Sequence, residues 1–186
     1  LHQKPINSGW IEVICGGMFS GKTEELLRRI RRAKIANLST IIFKPHIDTR
    51  YSNNKIVSHN NNSMDSVIIK KTKDLFDIGN KYDVVGIDEA QFFDSHLIKM
   101  CKKLANKNTR VIVAGLDSDY RGSPFGPMPD IMCESDYLDK LTAICVTCGN
   151  PASFTQRITE QLEQVVIGET DIYEARCRNC FEPPKK

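Results

Sequence analysis

The sequence predicts an α/β fold: a parallel sheet with helices on both faces, followed by a small ribbon held by cysteines. Three observations predict it. Short, continuous apolar runs alternate with amphipathic stretches over most of the chain, the pattern of strands buried on both faces and joined by helices. A glycine-rich turn links the first apolar run to the first amphipathic stretch. Beyond residue 144 the helical pattern stops and two C-x-x-C pairs appear.

The elements follow in order. Ile11–Cys15 reads as a strand. Lys22 to Ala36 reads as a helix, with Leu26, Ile30 and Ala33 on one face. Thr40–Phe43 is a second strand. Pro45 to Asn62 is rich in Asn, Asp and Ser without periodicity, and reads as a mobile loop. Val67–Ile69 is a short strand, Asp74–Gly79 a short helix, Val84–Ile87 a strand, Asp94–Ala105 a helix and Val111–Ala114 a strand. A Gly/Pro-rich loop spans Gly115–Pro129, and Leu141–Ile144 closes the series. No internal repeat or low-complexity tract is visible.

The 186 residues are 40% apolar and 26% charged, as in a globular domain with a small appendage. A net charge of +3 is too weak to argue for a nucleic-acid or membrane partner. No apolar run is long enough for a transmembrane helix. Leu1–Gly9 is polar, lacks an apolar signal region and reads as a flexible leader. Leu1 is not Met. Seven cysteines, an odd number, argue against a secreted disulfide scaffold and for a reducing, cytoplasmic setting. The expected division is a leader at 1–9, a nucleotide-binding domain at 10–142 and a cysteine-held domain at 143–186.

Gly16-Gly17-Met18-Phe19-Ser20-Gly21-Lys22-Thr23 matches G-x-x-x-x-G-K-[ST] between a predicted strand and a predicted helix, the context this phosphate-binding P-loop requires. Its backbone N–H groups would surround the phosphates of ATP, and the helix N-terminus adds positive potential. Lys22 would neutralise the β- and γ-phosphates, and the Thr23 hydroxyl would ligate Mg²⁺. Arg28, Arg29, Arg31 and Arg32 follow on the helix. Without interleaved aromatics they read as a solvated face rather than a nucleic-acid stripe.

Val84–Ile87 ends in Asp88-Glu89-Ala90-Gln91. In a P-loop fold this strand is expected beside the first, with its carboxyl end at the nucleotide crevice. Asp88 would serve Mg²⁺, and Glu89 is a candidate general base. The four residues also spell a helicase-like box, but such motors need two domains of this size and the chain has room for one. A zinc-ribbon, nucleic-acid-dependent ATPase is the competing function.

Cys145-x-x-Cys148 and Cys177-x-x-Cys180 are separated by 28 residues. Each pair presents two sulfurs toward one point, which suits tetrahedral Zn²⁺, and a full set of four sulfurs implies a structural role. The alternative is two redox-active pairs. Arg176 and Arg178 are placed to offset the thiolate charge.

Six segments together resemble the thymidine kinase family shared by vertebrate cytosol, many bacteria and poxviruses. They are Gly16–Thr23; Lys44 to Tyr51; Asp88–Phe93; Gly115-Leu116-Asp117 with Pro124-Phe125-Gly126; the cysteine pairs; and Val166 through Tyr173. The resemblance implies transfer of the ATP γ-phosphoryl group to the 5′-hydroxyl of thymidine, and of deoxyuridine, in deoxynucleotide salvage for DNA synthesis. It implies Glu89 as the base, and a pocket of Met18, Phe92, Leu116, Tyr120, Phe125, Thr155, Val166, Ile167, Gly168 and Tyr173. It also implies a homotetramer inhibited by dTTP, with neither nucleic acid nor membrane as partner. Read physically, Met18, Phe92 and Phe125 suit a small planar base, though each would equally serve plain core packing. Asp48 and Arg50 are weaker candidates for the phosphoryl side, reaching it when their loop closes.

Three positions depart from the family pattern: Gly17 stands where Pro is usual, Ala90 replaces a small or branched residue, and Gln164 stands near an apolar pocket position. The segment Thr155–Tyr173, anchored at both ends by cysteine pairs and poor in apolar residues, is expected to be mobile without ligand and to close like a lasso. Polar side chains are scarce in the pocket, so main-chain groups of this loop are expected to meet the thymine edge.

Overall fold

The computed structural model describes residues 8–46, 55–57, 63–159, 163–164 and 171–184. Asp48, Arg50, Val166, Ile167 and Gly168 lie outside the described residues.

Among the described residues, twelve strands and four α-helices run in the order β1 (Trp10–Cys15), α1 (Lys22–Ile35), β2 (Thr40–Pro45), β3 (Lys55–Val57), β4 (Ser63–Asp65), β5 (Val67–Ile69), α2 (Asp74–Gly79), β6 (Val84–Ile87), α3 (His96–Ala105), β7 (Arg110–Gly115), α4 (Met128–Cys133), β8 (Tyr137–Lys140), β9 (Ala143–Ile144), β10 (Pro151–Ala152), β11 (Phe154–Arg157) and β12 (Tyr173–Arg176). Six of these strands form one parallel sheet in the order β5-β2-β6-β7-β1-β8. The central strands are apolar throughout because helices cover both faces. Val13 and Cys15 of β1 pack with Leu97, Cys101 and Leu104 of α3, while Ile14 packs with Leu26, Leu27 and Ile30 of α1.

The sheet order corrects one expectation. β6 does not lie beside β1, because β7 pairs with both and stands between them. Four element boundaries also move. α4 starts inside the stretch read as loop, Gly115–Pro129, β8 lies where no element was read, and the sixth sheet strand is Tyr137–Lys140 rather than Leu141–Ile144. Helix α1 ends at Ile35. Helix α3 begins at His96, whose N–H donates to the Asp94 carboxylate (2.9 Å). Lys55–Val57, within a stretch read as loop, pairs with Ser63–Asp65.

Arg29 is not part of a solvated face. It is buried and donates to Glu12 (2.8 Å), Glu25 (2.8 Å) and Asp139 (2.7 Å), while Arg110 also holds Glu12 (2.6 Å). Arg31 and Arg32 are exposed as expected. Hydrogen bonds from Arg28, and then from Arg29, pull the Glu25 carboxyl down to about 2. Burial raises the Glu12 carboxyl, but Arg110 and Arg29 outweigh it and hold it low. Both folded values lie below the ordinary 4.5. This network therefore stabilises fully above that pH and fades as pH falls toward 2. Arg29→Ala removes three partners at once from carboxylates held low by it. It is expected to cost about 3 kcal/mol or more of unfolding free energy, read by urea denaturation at pH 7. The deficit should shrink below pH 4, and equal stability of the two proteins at pH 7 would show the network to be idle.

Beyond Lys140 the chain forms two small antiparallel pairs, β9–β10 and β11–β12. Their core is slight: Ala143, Cys145, Ala152, Ala175 and Cys177, with Phe19 and Cys180 against it. No helix among the described residues is long and apolar enough to cross a membrane.

Candidate active site

The phosphate loop turns sharply after β1. Gly16 takes φ 140°, and a Cβ there would stand 2.3 Å from the Leu141 carbonyl oxygen, so only glycine fits. Gly21 and Phe19 also have positive φ. The Ser20 hydroxyl (2.8 Å) and the Lys22 ammonium (2.6 Å) both donate to the Gly17 carbonyl, which closes the loop on itself. Burial lowers the Lys22 ammonium from its ordinary value, against the opposing pull of Glu89, Asp88 and Asp117. That set of charges marks Lys22 as the electrostatic centre of the crevice.

Asp88 and Glu89 continue from β6. The Thr23 hydroxyl lies 3.3 and 3.4 Å from the two Asp88 carboxylate oxygens. A hydroxyl and a carboxylate so placed, beside the loop lysine, form an oxygen donor set that fits Mg²⁺. They meet although β7 separates their strands. Glu89 adopts φ 53°, ψ 43°, a left-handed conformation that costs a non-glycine residue about 1 kcal/mol or more and recurs at active sites. Gln91 is buried and holds it: Nε2 donates to Glu89 Oε2 (2.5 Å), and Oε1 accepts from the Leu116 N–H (2.9 Å). Gly126, at φ 51°, passes so close to Gln91 that a Cβ would stand 2.1 Å from its carbonyl oxygen. Pro124-Phe125-Gly126 is thereby locked against the acidic turn. Sequence reasoning assigned Gln91 no role, because its partner Leu116 lies on another strand end.

A cleft opens beside these groups. Met18, Phe92, Leu116, Tyr120, Phe125, Thr155 and Tyr173 all line it, joined by Ser118, Asp119 and Gln164. Counted with the open solvent at its mouth it spans about 390 Å³. Phe92 and Phe125 meet edge to face, with ring centroids 5.6 Å apart. The Met18 N–H donates to the Thr155 hydroxyl (3.0 Å), tying the phosphate loop to β11. Gly17, where proline is usual, packs under the same strand: a Cβ there would meet Thr155 Oγ1 at 3.3 Å. Gln164 adds a polar group to the wall, and its amide donates to Asp119, another lining residue (3.1 Å).

One expectation about the nucleoside loop is corrected. Thr155 is not in a loop. Phe154–Arg157 pairs in register with Tyr173–Arg176, and the Ile158 N–H reaches the Ile172 carbonyl (2.9 Å). Thr155 and Arg157 are buried on one face of this strand. Arg157 belongs with the cleft but was not picked out from the sequence. The period of two from Thr155 was the signal that pointed to it.

The four sulfurs of Cys145, Cys148, Cys177 and Cys180 all lie within 4.8 Å of one another, and Cys148 and Cys177 are 3.5 Å apart. Zn–S bonds of about 2.3 Å in a tetrahedron place sulfurs about 3.8 Å apart, so the cluster fits zinc. All seven cysteines are free thiols, which leaves no disulfide across either pair. Burial raises the Cys145 thiol, but N–H donors from Cys177, Thr147 and Cys148 outweigh it and bring it to about 6. Cys180, hydrogen-bonded by Cys148 and Cys177, is pushed up to about 12. Such crowding of thiols is relieved by a cation. Arg176 is placed only partly as expected: it pairs with Glu174 (2.6 Å) and donates to the Cys180 carbonyl (3.4 Å). Arg178 lies over the Phe154 ring, 5.1 Å from its centroid.

Comparison with known proteins gives this geometry a family. The family model described as thymidine kinase matches residues 9–181. A thymidine kinase of Rhodothermus sp. (strain ITI 518) is 53% identical over 177 residues, covering 95% of this chain and 83% of the relative. One of Bacteroides fragilis (strain YCH46) is 53% identical over 180 residues, covering 97% and 90%. One of Bacteroides thetaiotaomicron is 52% identical over 179 residues, covering 96% and 90%. Among solved structures, the genome packaging NTPase B204 of Sulfolobus turreted icosahedral virus 2 in complex with AMPPCP superposes with a TM-score of 0.50 at 17% identity. It covers 72% of this chain and 76% of that one, a likeness of fold alone. With a family match across almost the whole chain and relatives more than half identical to it, the chain belongs to the thymidine kinase family.

Proposed function

We propose that this chain is an ATP-dependent thymidine kinase, acting also on deoxyuridine, in pyrimidine deoxynucleotide salvage. One observation carries the reading. Gln91 links Glu89 to Leu116, so the candidate base is fixed against the wall of an aromatic cleft that begins at the phosphate loop. A nucleoside whose base enters this cleft would direct its 5′-hydroxyl toward the loop. Glu89 takes the hydroxyl proton as the O5′–P bond forms, the bond from the γ-phosphorus to its bridging oxygen breaks, and ADP leaves. The N–H groups of Gly16–Thr23 and Lys22 receive the phosphates. Thr23 and Asp88 would hold Mg²⁺, which offsets charge on the β- and γ-phosphates. Arg50, with Asp48, is assigned to the transferring group, and Val166, Ile167 and Gly168 to the nucleoside through their main chain.

The domain division at residue 142, the cytoplasmic setting, the homotetramer and inhibition by dTTP belong to the same proposal, and their support is the family. Zinc in the cysteine cluster is assigned a structural role because four sulfurs fill its coordination. One coupled assay tests the function. Thymidine, deoxycytidine, deoxyadenosine and DNA are supplied separately with ATP and Mg²⁺. ADP release is expected with thymidine and not with DNA. Turnover stimulated by DNA and indifferent to nucleosides would instead identify a nucleic-acid-dependent ATPase.

A further inference from the structure

We propose that Arg157 is a positioning residue that sets the width of the cleft, an inference that rests on the kinase reading above. Arg157 ends β11, is 6% exposed, and points across the two aromatic walls. Its guanidinium lies 3.5 Å from the centroid of the Tyr120 ring. Nη2 donates to the Tyr173 hydroxyl at 2.8 Å and to the Gln164 carbonyl at 3.2 Å, and Nη1 donates to the Glu163 carbonyl. Tyr120 comes from the loop after β7 and Tyr173 from β12, 53 residues further along, so no local backbone geometry fixes their separation. The guanidinium does: one face stacks on the first ring and the in-plane N–H groups reach the second. Its bonds to the Glu163 and Gln164 carbonyls tie those two residues to the cleft, which Gln164 lines and where its amide donates to Asp119.

Arginine alone can do this. Its plane both stacks and donates in fixed directions, whereas a lysine ammonium is a compact charge that cannot lie on Tyr120 and bond to Tyr173 in one geometry. Burying such a charge is costly unless it is engaged, and both Nη groups of Arg157 donate to the partners named above while Nε does not. Each of these contacts is to the cleft wall or to the segment over it. A cleft of fixed width admits a flat pyrimidine, and a looser one admits it with less affinity.

The test uses the full chain with zinc bound. Arg157→Lys and Arg157→Met are assayed for KM and kcat with each substrate, alongside zinc content and thermal stability. Loss of a charge-assisted hydrogen bond is expected to raise the KM for thymidine about tenfold or more, with the KM for ATP, kcat and zinc content unchanged. Lysine should not restore the wild-type KM. Tyr173→Phe should raise the thymidine KM less, and should add little in the Arg157→Lys background because the two act as a unit. The proposal is overturned if the thymidine KM stays at its wild-type value, if the ATP KM rises by the same factor, or if the Tyr173 and Arg157 effects multiply. Should Arg157→Met fail to fold, the lysine variant and its double-mutant cycle still decide. Absence of thymidine phosphorylation by the wild-type protein would overturn the kinase reading itself, and this proposal with it.

Discussion

Glu89→Gln is expected to lower turnover by about 10²–10⁴ while leaving ATP binding intact, the loss typical of removing a positioned base. The substitution isolates basicity from shape. Gln91 donates to Glu89 Oε2, and an amide oxygen at that place accepts the same hydrogen bond. The left-handed turn at residue 89 is a backbone property that glutamine tolerates as glutamate does. Neither the Thr23–Asp88 contact nor the loop closed by Lys22 involves the substituted atom. Glu89 also acts on Lys22 through its charge, so it is unchanged nucleotide binding by titration that assigns a fall in kcat at saturating thymidine and ATP to lost proton removal. Turnover near the wild-type rate would reassign the base elsewhere and leave Glu89 as a strained turn residue.

The parts of this site that were legible in the sequence are those whose chemistry is local. The phosphate loop is eight consecutive residues between a strand and a helix, and Asp88-Glu89 ends an apolar run, so both declare themselves without knowledge of the sheet. The order of the strands does not. β7 enters between β1 and β6 because of packing that no short window records, and the expectation that β6 borders β1 failed for that reason. β8 escaped notice because it lies at the sheet edge. Its residues Tyr-Leu-Asp-Lys alternate in exposure and never form an apolar run. Arg29 read as solvated because its partners Glu12 and Asp139 lie 17 and 110 residues away. Met18, Phe92, Leu116, Tyr120, Phe125, Thr155 and Tyr173 came from resemblance to a family, Ser118 and Asp119 were not named from the sequence, and Met18, Phe92 and Phe125 individually read as well as core. What the structure adds is convergence: the phosphate loop, the acidic turn and β11 meet through Met18, Gln91 and Thr155.

Cys177→Ser is expected to abolish zinc binding and thymidine phosphorylation together, while ATP binding survives. The reasoning starts from how little else holds the ribbon. The apolar cluster at its centre is three alanines and two of the cysteines themselves. Their burial is worth far less than the roughly 10–16 kcal/mol that a structural zinc supplies to a small domain. Without the metal, β9–β10 and β11–β12 have little reason to stay paired. Thr155 and Arg157 ride on β11 and Tyr173 on β12, so the walls of the cleft go with them. The larger sheet keeps its own two cores on either face and carries Asp88, Glu89 and the phosphate loop, whose ties to the ribbon are the Met18–Thr155 hydrogen bond and the packing of Phe19. Metal analysis should find one zinc per wild-type chain and none per variant chain, and nucleotide titration should give matching ATP affinities. A variant lacking zinc that phosphorylates thymidine with the wild-type KM would show that the ribbon folds by itself and that the four cysteines serve another purpose.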